Sequence, residues 1–272
     1  RKEPMRLEQG LSCIRRSNQD GYHYFISNLQ GKDVDAFISL GVKAKKAVFY
    51  HPMDGKIDLA KMDAQGRVRV QLKSGESIIL RTFTEGTSDT FKPHTYYKEQ
   101  ANRVKRLTQW TLSFKESAPV QITKTYTMEG APQSWTTLGD SLLNTTMATG
   151  VYKTSFTMPK MQPNTAYILD LGDVRETAHV LVNGEDVGML FAVPFRVDVT
   201  PFLHEGINTL EVEVANLPAN RIAQMDRNGI RWRKFKEINV VDLNYKRDLY
   251  GNWATVPSGL NGEVKLIPCT VE

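Results

Sequence analysis

The side chains best suited to bind a ligand are concentrated in one stretch, between Asn216 and Trp253. It supplies amide, carboxylate, guanidinium and aromatic groups from eight positions: Asn216, Asn220, Arg221, Asp226, Trp232, Arg233, Tyr250 and Trp253. Aromatic rings pack against the C–H surfaces of sugars, and planar polar groups bind hydroxyls through hydrogen bonds. These residue types are therefore typical of a surface that contacts carbohydrate.

A second interpretation of the same stretch is structural. Trp232 and Trp253 would hold it against the rest of its domain, and Arg221 would pair with Asp226. Long segments of weak periodicity are uncommon inside a compact domain and often carry function, so both interpretations stay open at this point.

One dense basic run, Arg231–Lys236, lies in this stretch. Proteins that bind nucleic acid gather positive charge on one face or in one run. Here Lys and Arg are mostly interleaved with Asp and Glu, and the net charge is only +5 over 272 residues. The charge pattern favours a solvated surface and excludes nucleic acid as an expected partner.

Residues for catalysis are present but follow no catalytic motif. Glycoside hydrolysis usually needs two carboxyl groups facing each other across a cleft. Because the chain has 30 acidic residues, such pairs arise by chance, and Glu211 and Glu213 occupy outward positions of a predicted strand. The histidines are scattered, and we expect each to be a surface or hydrogen-bonded residue: His23, His51, His94, His179 and His204. We predict no catalytic residue in this chain.

The elements that must position these groups are short strands separated by turns. Arg67–Leu72 alternates apolar and polar residues, as does Leu210–Val214, and such alternation is typical of a strand with one buried face. Asn183-Gly184 is a strong signal for a type I′ hairpin. The pattern predicts an all-β protein with two antiparallel β-sandwich domains, residues 1–90 and 107–272.

Three further predictions concern the second domain. Val212 and Val214 are expected to face its core. Val120–Tyr126 is expected to be one of its strands. Asn216–Gly259 is expected to be a long loop, because it shows neither strand nor helix periodicity.

No apolar run approaches the about 18 residues that a membrane span needs, so no membrane span is predicted. The first residue is Arg1 rather than Met, which suggests that the chain is the tail of a longer protein. The preceding part would then carry any signal for export.

The order of motifs in the second half resembles a known group of enzymes. The motifs, from Gly150 to Asn216, are GVYKTSFTMP, ILDLGDV, VLVNGEDVG and PFRVDVTPFLHEGINTLEVEVAN. They resemble the sugar-binding jelly-roll domain of glycoside hydrolase family 2 and, more closely, the C-terminal domain of Bacteroidetes family 106 α-L-rhamnosidases. ANRIAQMDRNGIRWRKF and PSGLNGEVKL resemble the tail of that group. IRRSNQDGYHYFISN and YHPMDGKI resemble the sandwich that follows its catalytic barrel.

The resemblance implies that the second domain is a galactose-binding-like jelly roll and that the catalytic acids belong to a barrel domain of the same polypeptide. The chain would be an accessory, non-catalytic region, located in the periplasm or outside the cell. The Asn216–Trp253 stretch then gains a third interpretation, docking on the barrel. No cofactor is required, although a structural calcium ion is compatible with such domains. An independent carbohydrate-binding module and an enzyme with its site on the sandwich are the alternatives.

Overall fold

The computed structural model describes residues 2–232 and 249–272. Antiparallel strands dominate it, and the predicted all-β class with sandwich domains is confirmed. None of the helices formed by these residues has the length and apolar character required to cross a bilayer.

The chain divides into two compact units. The first comprises Arg1–Glu99 with Cys269–Glu272, and the second comprises Gln100–Pro268. The domain boundaries predicted from the sequence, 1–90 and 107–272, placed Cys269–Glu272 in the second domain. They join the first unit because Cys269, Thr270 and Val271 pair with the strand that ends at Glu99.

The first unit is a set of short strands after one helical turn. Its elements are α1 (Pro4–Glu8), β1 (Ser12–Ser17), β2 (Gly21–Ser27), β3 (Val34–Ile38), β4 (Lys46–Tyr50), β5 (Ile57–Leu59), β6 (Val68–Leu72), β7 (Ser77–Phe83) and β8 (Tyr97–Glu99). One sheet has the order β1-β2-β7-β4-β5, and β3 pairs with β6. Its core is apolar and includes Tyr24, Ile26, Ile38, Phe49 and Leu80.

Strand β6 illustrates how the sequence pattern produces this packing. Val68, Val70 and Leu72 are buried, whereas Arg69 and Gln71 lie on the other face. There, the Arg69 guanidinium donates two hydrogen bonds of 3.0 Å to Asp35 on β3. The alternation thus buries the apolar face and pairs the charges of the polar face across neighbouring strands.

The second unit is larger. Its strands are β9 (Lys105–Leu107), β10 (Gln109–Ala118), β11 (Tyr126–Glu129), β12 (Met147–Met158), β13 (Thr165–Asp170), β14 (Val174–Arg175), β15 (Thr177–Val182), β16 (Glu185–Leu190), β17 (Arg196–Asp198), β18 (Gly206–Ala215), β19 (Gly259–Leu260) and β20 (Val264–Val271), whose last residues belong to the first unit. Helix α2 spans Ala219–Arg227, and single 3₁₀ turns lie at Ala101–Arg103, Trp135–Thr137, Ser141–Thr145, Thr200–Phe202 and Tyr250–Asn252.

Two layers enclose the core of the second unit. The main sheet has the order β11-β10-β12-β18-β15-β16, and the facing layer contains β17, β13 and β20, with β9 also paired to β20. Val212 and Val214 are fully buried on β18, as predicted, and Glu211 and Glu213 point to the other face. The largest fully buried side chain is that of Trp135.

The hairpin between β15 and β16 also follows the sequence prediction. Asn183 and Gly184 have φ angles of 53° and 81°, the left-handed values that a type I′ turn requires. The Asn183 side chain adds three further hydrogen bonds. It donates to the carbonyl oxygen of Phe202 at 2.8 Å and to the side-chain oxygen of Asn208 at 2.9 Å, and it accepts from the Thr209 amide at 2.9 Å.

The predicted strand Val120–Tyr126 is wrong for all but its last residue, since β11 begins at Tyr126. Side chains satisfy the local backbone instead of a sheet ladder. Gln121 donates to the carbonyl oxygen of Phe114 at 3.1 Å, and the Ile122 amide donates to the Ser117 hydroxyl at 2.7 Å. Apolar alternation was therefore not sufficient to predict a strand here, because residues 120–125 pair with no neighbouring strand.

The predicted loop Asn216–Gly259 contains helix α2, which corrects that prediction. Its C-terminus is closed by a Schellman motif: the amides of Gly229 and Ile230 donate to the carbonyl oxygens of Asp226 and Met225. Gly229 has a φ of 66°, which suits glycine at this position. The signal available in the sequence was this glycine just after a run of good helix formers.

We expect Val212→Ala to lower the free energy of unfolding of the second unit by about 2 kcal/mol, because two buried methyl groups are lost and a cavity remains. All four tryptophans lie within Gln100–Pro268, so tryptophan fluorescence in urea reports on this unit alone. Ile207→Ala on the same strand is the control; Ile207 is 70% exposed, and its loss should change stability by no more than about 0.5 kcal/mol. Equal effects of the two variants would contradict the assigned register of β18.

Candidate functional site

Asn216 is an attachment point for the predicted site segment. Its side-chain amide nitrogen donates to the carbonyl oxygen of Thr146 and to the hydroxyl of Ser258, each at 3.0 Å. Its side-chain oxygen accepts from the Ala148 amide at 2.9 Å. The amide is thus occupied within the second unit and joins both ends of the segment to β12.

Asn220 has a similar role one turn into the segment. It is buried on α2, and its side-chain amide exchanges two hydrogen bonds of 2.9 Å with the backbone of Val256. This pair clamps the helix to the returning chain. Asn216 and Asn220 therefore support the segment instead of offering free groups to a ligand.

The charged residues of α2 do not form the Arg221–Asp226 pair that the structural interpretation expected. Among the described residues, Arg221 donates to Gln224 at 2.7 Å and does not pair with Asp226, because five positions along a helix separate the two on its surface. Asp226 accepts from the Gly251 amide at 3.0 Å, and Arg227 donates to the Gly251 carbonyl oxygen at 3.0 Å. The C-terminal turn of α2 thereby holds the turn that carries Tyr250.

Three of the predicted aromatic residues form one group, which we call the aromatic cluster: Trp232, Tyr250 and Trp253. The ring centroid of Tyr250 lies 5.4 Å from that of Trp232 and 4.6 Å from that of Trp253, and both pairs have edge-to-face geometry. Trp253 remains 47% exposed. The structure therefore brings these three residues together beside Asp226, and it leaves a tryptophan surface available for contact.

Exposed aliphatic residues surround the aromatic cluster along the chain: Leu217, Ile230, Leu249 and Val256. Leu249, directly before Tyr250, is 63% exposed. Exposed apolar side chains close in sequence to an exposed tryptophan, such as Leu249 and Val256 beside Trp253, are typical of a surface that meets another protein. Arg233 and most of the basic run Arg231–Lys236 lie outside the described residues.

An open depression of about 660 Å³ lies on the outer face of the main sheet, away from the predicted site. Thr111, Lys153 and Glu211 stand in neighbouring register across β10, β12 and β18, and Ser155 and Thr209 form the next row. The hydroxyl groups of Thr111, Ser155 and Thr209 are suited to polar contacts. Lys153 and Glu211 form an ion pair, with 2.8 Å between the Nζ atom and a carboxylate oxygen.

A row of paired charges continues on this outer face. Lys115 donates to Glu213 at 2.9 Å, and the hydrogen bond from Lys115 is the main reason that the pKa of Glu213 is lowered. His179 lies between Glu213 and Asp186, with its Nε2 atom 3.0 Å from the Asp186 carboxylate. Partial burial would lower the pKa of His179, but the hydrogen bonds to the two carboxylates outweigh burial and raise it. The charges on this face are therefore paired with one another.

Side chains able to hold a metal ion come together at one place in the first unit. Within the described residues, His51, Asp58 and His94 form the one group of three or more His, Cys, Asp or Glu residues whose donor atoms all lie within 4.8 Å of each other. Sequence reasoning missed this group, because His51 and His94 lie 43 positions apart and no ligand-spacing motif joins them. The sequence resemblance is compatible with a structural calcium ion in the second domain, and this stays a prediction.

Comparison with known proteins finds similarity between this chain and parts of glycoside hydrolases. Residues 137–253 match the family model described as glycosyl hydrolase 2 galactose-binding domain-like. A putative β-glucuronidase of Formosa agariphila is 38% identical over 92 residues, which are 33% of this chain and 8% of the relative. The rhamnosidase from Novosphingobium sp. PP1Y superposes with a TM-score of 0.68 at 22% identity, over 95% of this chain and 24% of that one.

These matches show that the chain contains a glycoside hydrolase-associated domain of galactose-binding-like fold, as the sequence resemblance implied. The chain spans less than a tenth of the relative's length and about a quarter of the solved rhamnosidase.

We expect Asn220→Ala to destabilise the second unit by about 1–3 kcal/mol, because the backbone groups of Val256 lose their buried partner. Trp253→Ala should cost less than about 1 kcal/mol, since the exposed tryptophan adds little to the core. Urea unfolding followed by circular dichroism measures both variants without relying on tryptophan emission. A larger loss for Trp253→Ala than for Asn220→Ala would mean that the aromatic cluster is a structural anchor.

Proposed function

We propose that this chain is an accessory, non-catalytic region of a longer polysaccharide-degrading glycoside hydrolase of α-L-rhamnosidase type. Its second unit supports the catalytic barrel of the same polypeptide, and the segment with the aromatic cluster docks on that barrel. The match of residues 137–253 to a non-barrel domain of glycosyl hydrolase 2 is the observation that carries this proposal. A polysaccharide-degrading role is consistent with a periplasmic or extracellular location.

Docking is favoured over direct sugar contact by the chemistry of the exposed segment. A sugar site combines aromatic faces with polar groups that are free to bind hydroxyls. Here the amides of Asn216 and Asn220 are occupied by the protein itself, whereas Leu217, Leu249 and Trp253 are exposed. Apolar side chains next to an exposed tryptophan are better suited to burial in a protein interface.

A first consequence concerns activity. The isolated chain should not hydrolyse aryl α-L-rhamnosides, β-glucuronides or β-galactosides, because the proposal assigns the acid and the nucleophile to the barrel. Release of the aryl group, measured at high protein concentration, tests this. Turnover that persists through repeated purification and disappears when one carboxylate of this chain is replaced would contradict the proposal and favour an enzyme with its site on the sandwich.

A second consequence concerns association. The chain should bind the separately produced barrel of its parent protein, and Trp253→Ala should weaken binding about tenfold or more, as expected for a tryptophan at an interface centre. Phe191→Ala is the matched control, because Phe191 is an exposed aromatic residue outside the segment. Sedimentation analysis of the mixtures measures the difference.

The same variants separate docking from the rival function of an independent carbohydrate-binding module. The wild-type chain could bind a glycan array and lose this binding in Trp253→Ala while association with the barrel stays unchanged. That result would favour sugar recognition over docking. Equal association of Trp253→Ala and Phe191→Ala with the barrel would exclude the segment as the docking surface.

A further inference from the structure

The group formed by His51, Asp58 and His94 belongs to the first unit and lies outside the proposed docking segment. A hairpin between β4 and β5 brings His51 and Asp58 together: the His51 amide donates to the Lys56 carbonyl oxygen, and Phe49 pairs with Asp58. The chain returns beside β5, where the His94 amide donates to the Leu59 carbonyl oxygen at 2.9 Å. Three segments of the backbone therefore fix the positions of the three side chains.

The donor atoms are separated by distances that suit one shared ion. The Nε2 atom of His51 lies 3.1 and 3.2 Å from the two oxygens of Asp58, and the Nδ1 atom of His94 lies 3.0 Å from Oδ2. Zinc bonds to imidazole nitrogen and carboxylate oxygen at about 2.0–2.2 Å, so a tetrahedral shell places neighbouring ligand atoms about 3.3–3.6 Å apart, slightly farther than the distances found here. These side chains need only small adjustments to surround an ion.

Buried aromatic residues hold the two imidazoles in place. Phe49 contacts both rings edge-on, with centroids 6.2 Å from His51 and 5.0 Å from His94. Tyr96 lies 4.5 Å from the His94 ring, also edge-on, and the imidazole planes are within 16° of parallel. Because packing restricts the rings, little side-chain entropy remains to be lost when a ligand binds.

The group is also accessible. The side chains of His51, Asp58 and His94 are 23%, 17% and 15% exposed, so an ion can enter from solvent and water can complete its coordination. Two neutral imidazoles and one carboxylate carry a single negative charge, which a divalent ion more than balances. Calcium and magnesium prefer shells made of oxygen, whereas imidazole-rich sets favour zinc and neighbouring transition metals.

We propose that His51, Asp58 and His94 bind one zinc ion, with His51 coordinating through Nε2, His94 through Nδ1, and water completing a tetrahedral shell. The ion would tie the β4–β5 hairpin to the chain around His94. Without metal, the same atoms form the His–Asp–His hydrogen bonds described above.

Calorimetric titration of the full chain with zinc chloride, after dialysis against a chelator, tests this proposal. Wild-type protein should bind one equivalent and unfold at a higher temperature in its presence. Asp58→Asn and His51→Ala should each weaken binding about tenfold or more, because each removes a ligand. His23→Ala, which removes another part-buried histidine of the same unit, should bind as wild type does. Absence of binding, or equal binding by all variants, would overturn the site.

A second measurement needs no variant and therefore remains decisive if a substitution prevents folding. Nitrogen-15 labelled histidine in the wild-type chain reports which ring nitrogen binds metal. Addition of zinc should shift two of the five histidines, one through Nε2 and one through Nδ1. Spectra in which zinc leaves all five histidines unchanged, or binds two histidines through the same type of nitrogen, would exclude the proposed geometry.

Discussion

Close packing of two large side chains against glycine backbone determines the architecture of the second unit. A Cβ atom at Gly150 would lie 2.7 Å from the ring of Trp135, and one at Gly259 would lie 2.0 Å from the Tyr152 hydroxyl oxygen. Real Cβ atoms do not approach other atoms so closely, so both positions require glycine while Trp135 and Tyr152 stay buried. Gly259 also has a φ of 92°, which other residues rarely adopt.

This packing fixes where the long segment returns to the sandwich. Ser258 precedes Gly259, and its backbone exchanges hydrogen bonds with Ser134: the Ser258 amide donates to the Ser134 hydroxyl at 2.8 Å, and that hydroxyl donates to the Ser258 carbonyl oxygen at 3.0 Å. Asn216, at the departure point, donates to the Ser258 side chain. The two ends are thus held together by buried polar groups, so the part between them can differ in character from the sheets that anchor it.

Polar and aromatic residues have separate tasks in that segment. The side-chain amides of Asn216 and Asn220 attach it to the sandwich, and the aromatic cluster remains partly exposed. On the main sheet, by contrast, the outward charges are paired across strands, as with Lys153 and Glu211 or Lys115 and Glu213. An exposed ion pair contributes little to the free energy of folding. Removal of an exposed tryptophan or leucine from water, by contrast, lowers the free energy. Burial against a partner would therefore stabilise the exposed tryptophan and leucines of the segment more than the paired charges of the sheet.

Alternation and turn chemistry are local properties, so the sequence was sufficient to predict the fold class, the buried face of strands such as Leu210–Val214 and the hairpin at Asn183-Gly184. The three aromatic residues of the cluster were also predicted to lie in one segment. The structural role of Asn216 and Asn220 is visible only in the folded chain, since an amide that binds backbone and one that binds sugar are the same residue in a sequence. Likewise, the grouping of His51, Asp58 and His94 depends on a hairpin and a distant return of the chain, contacts that no local pattern encodes.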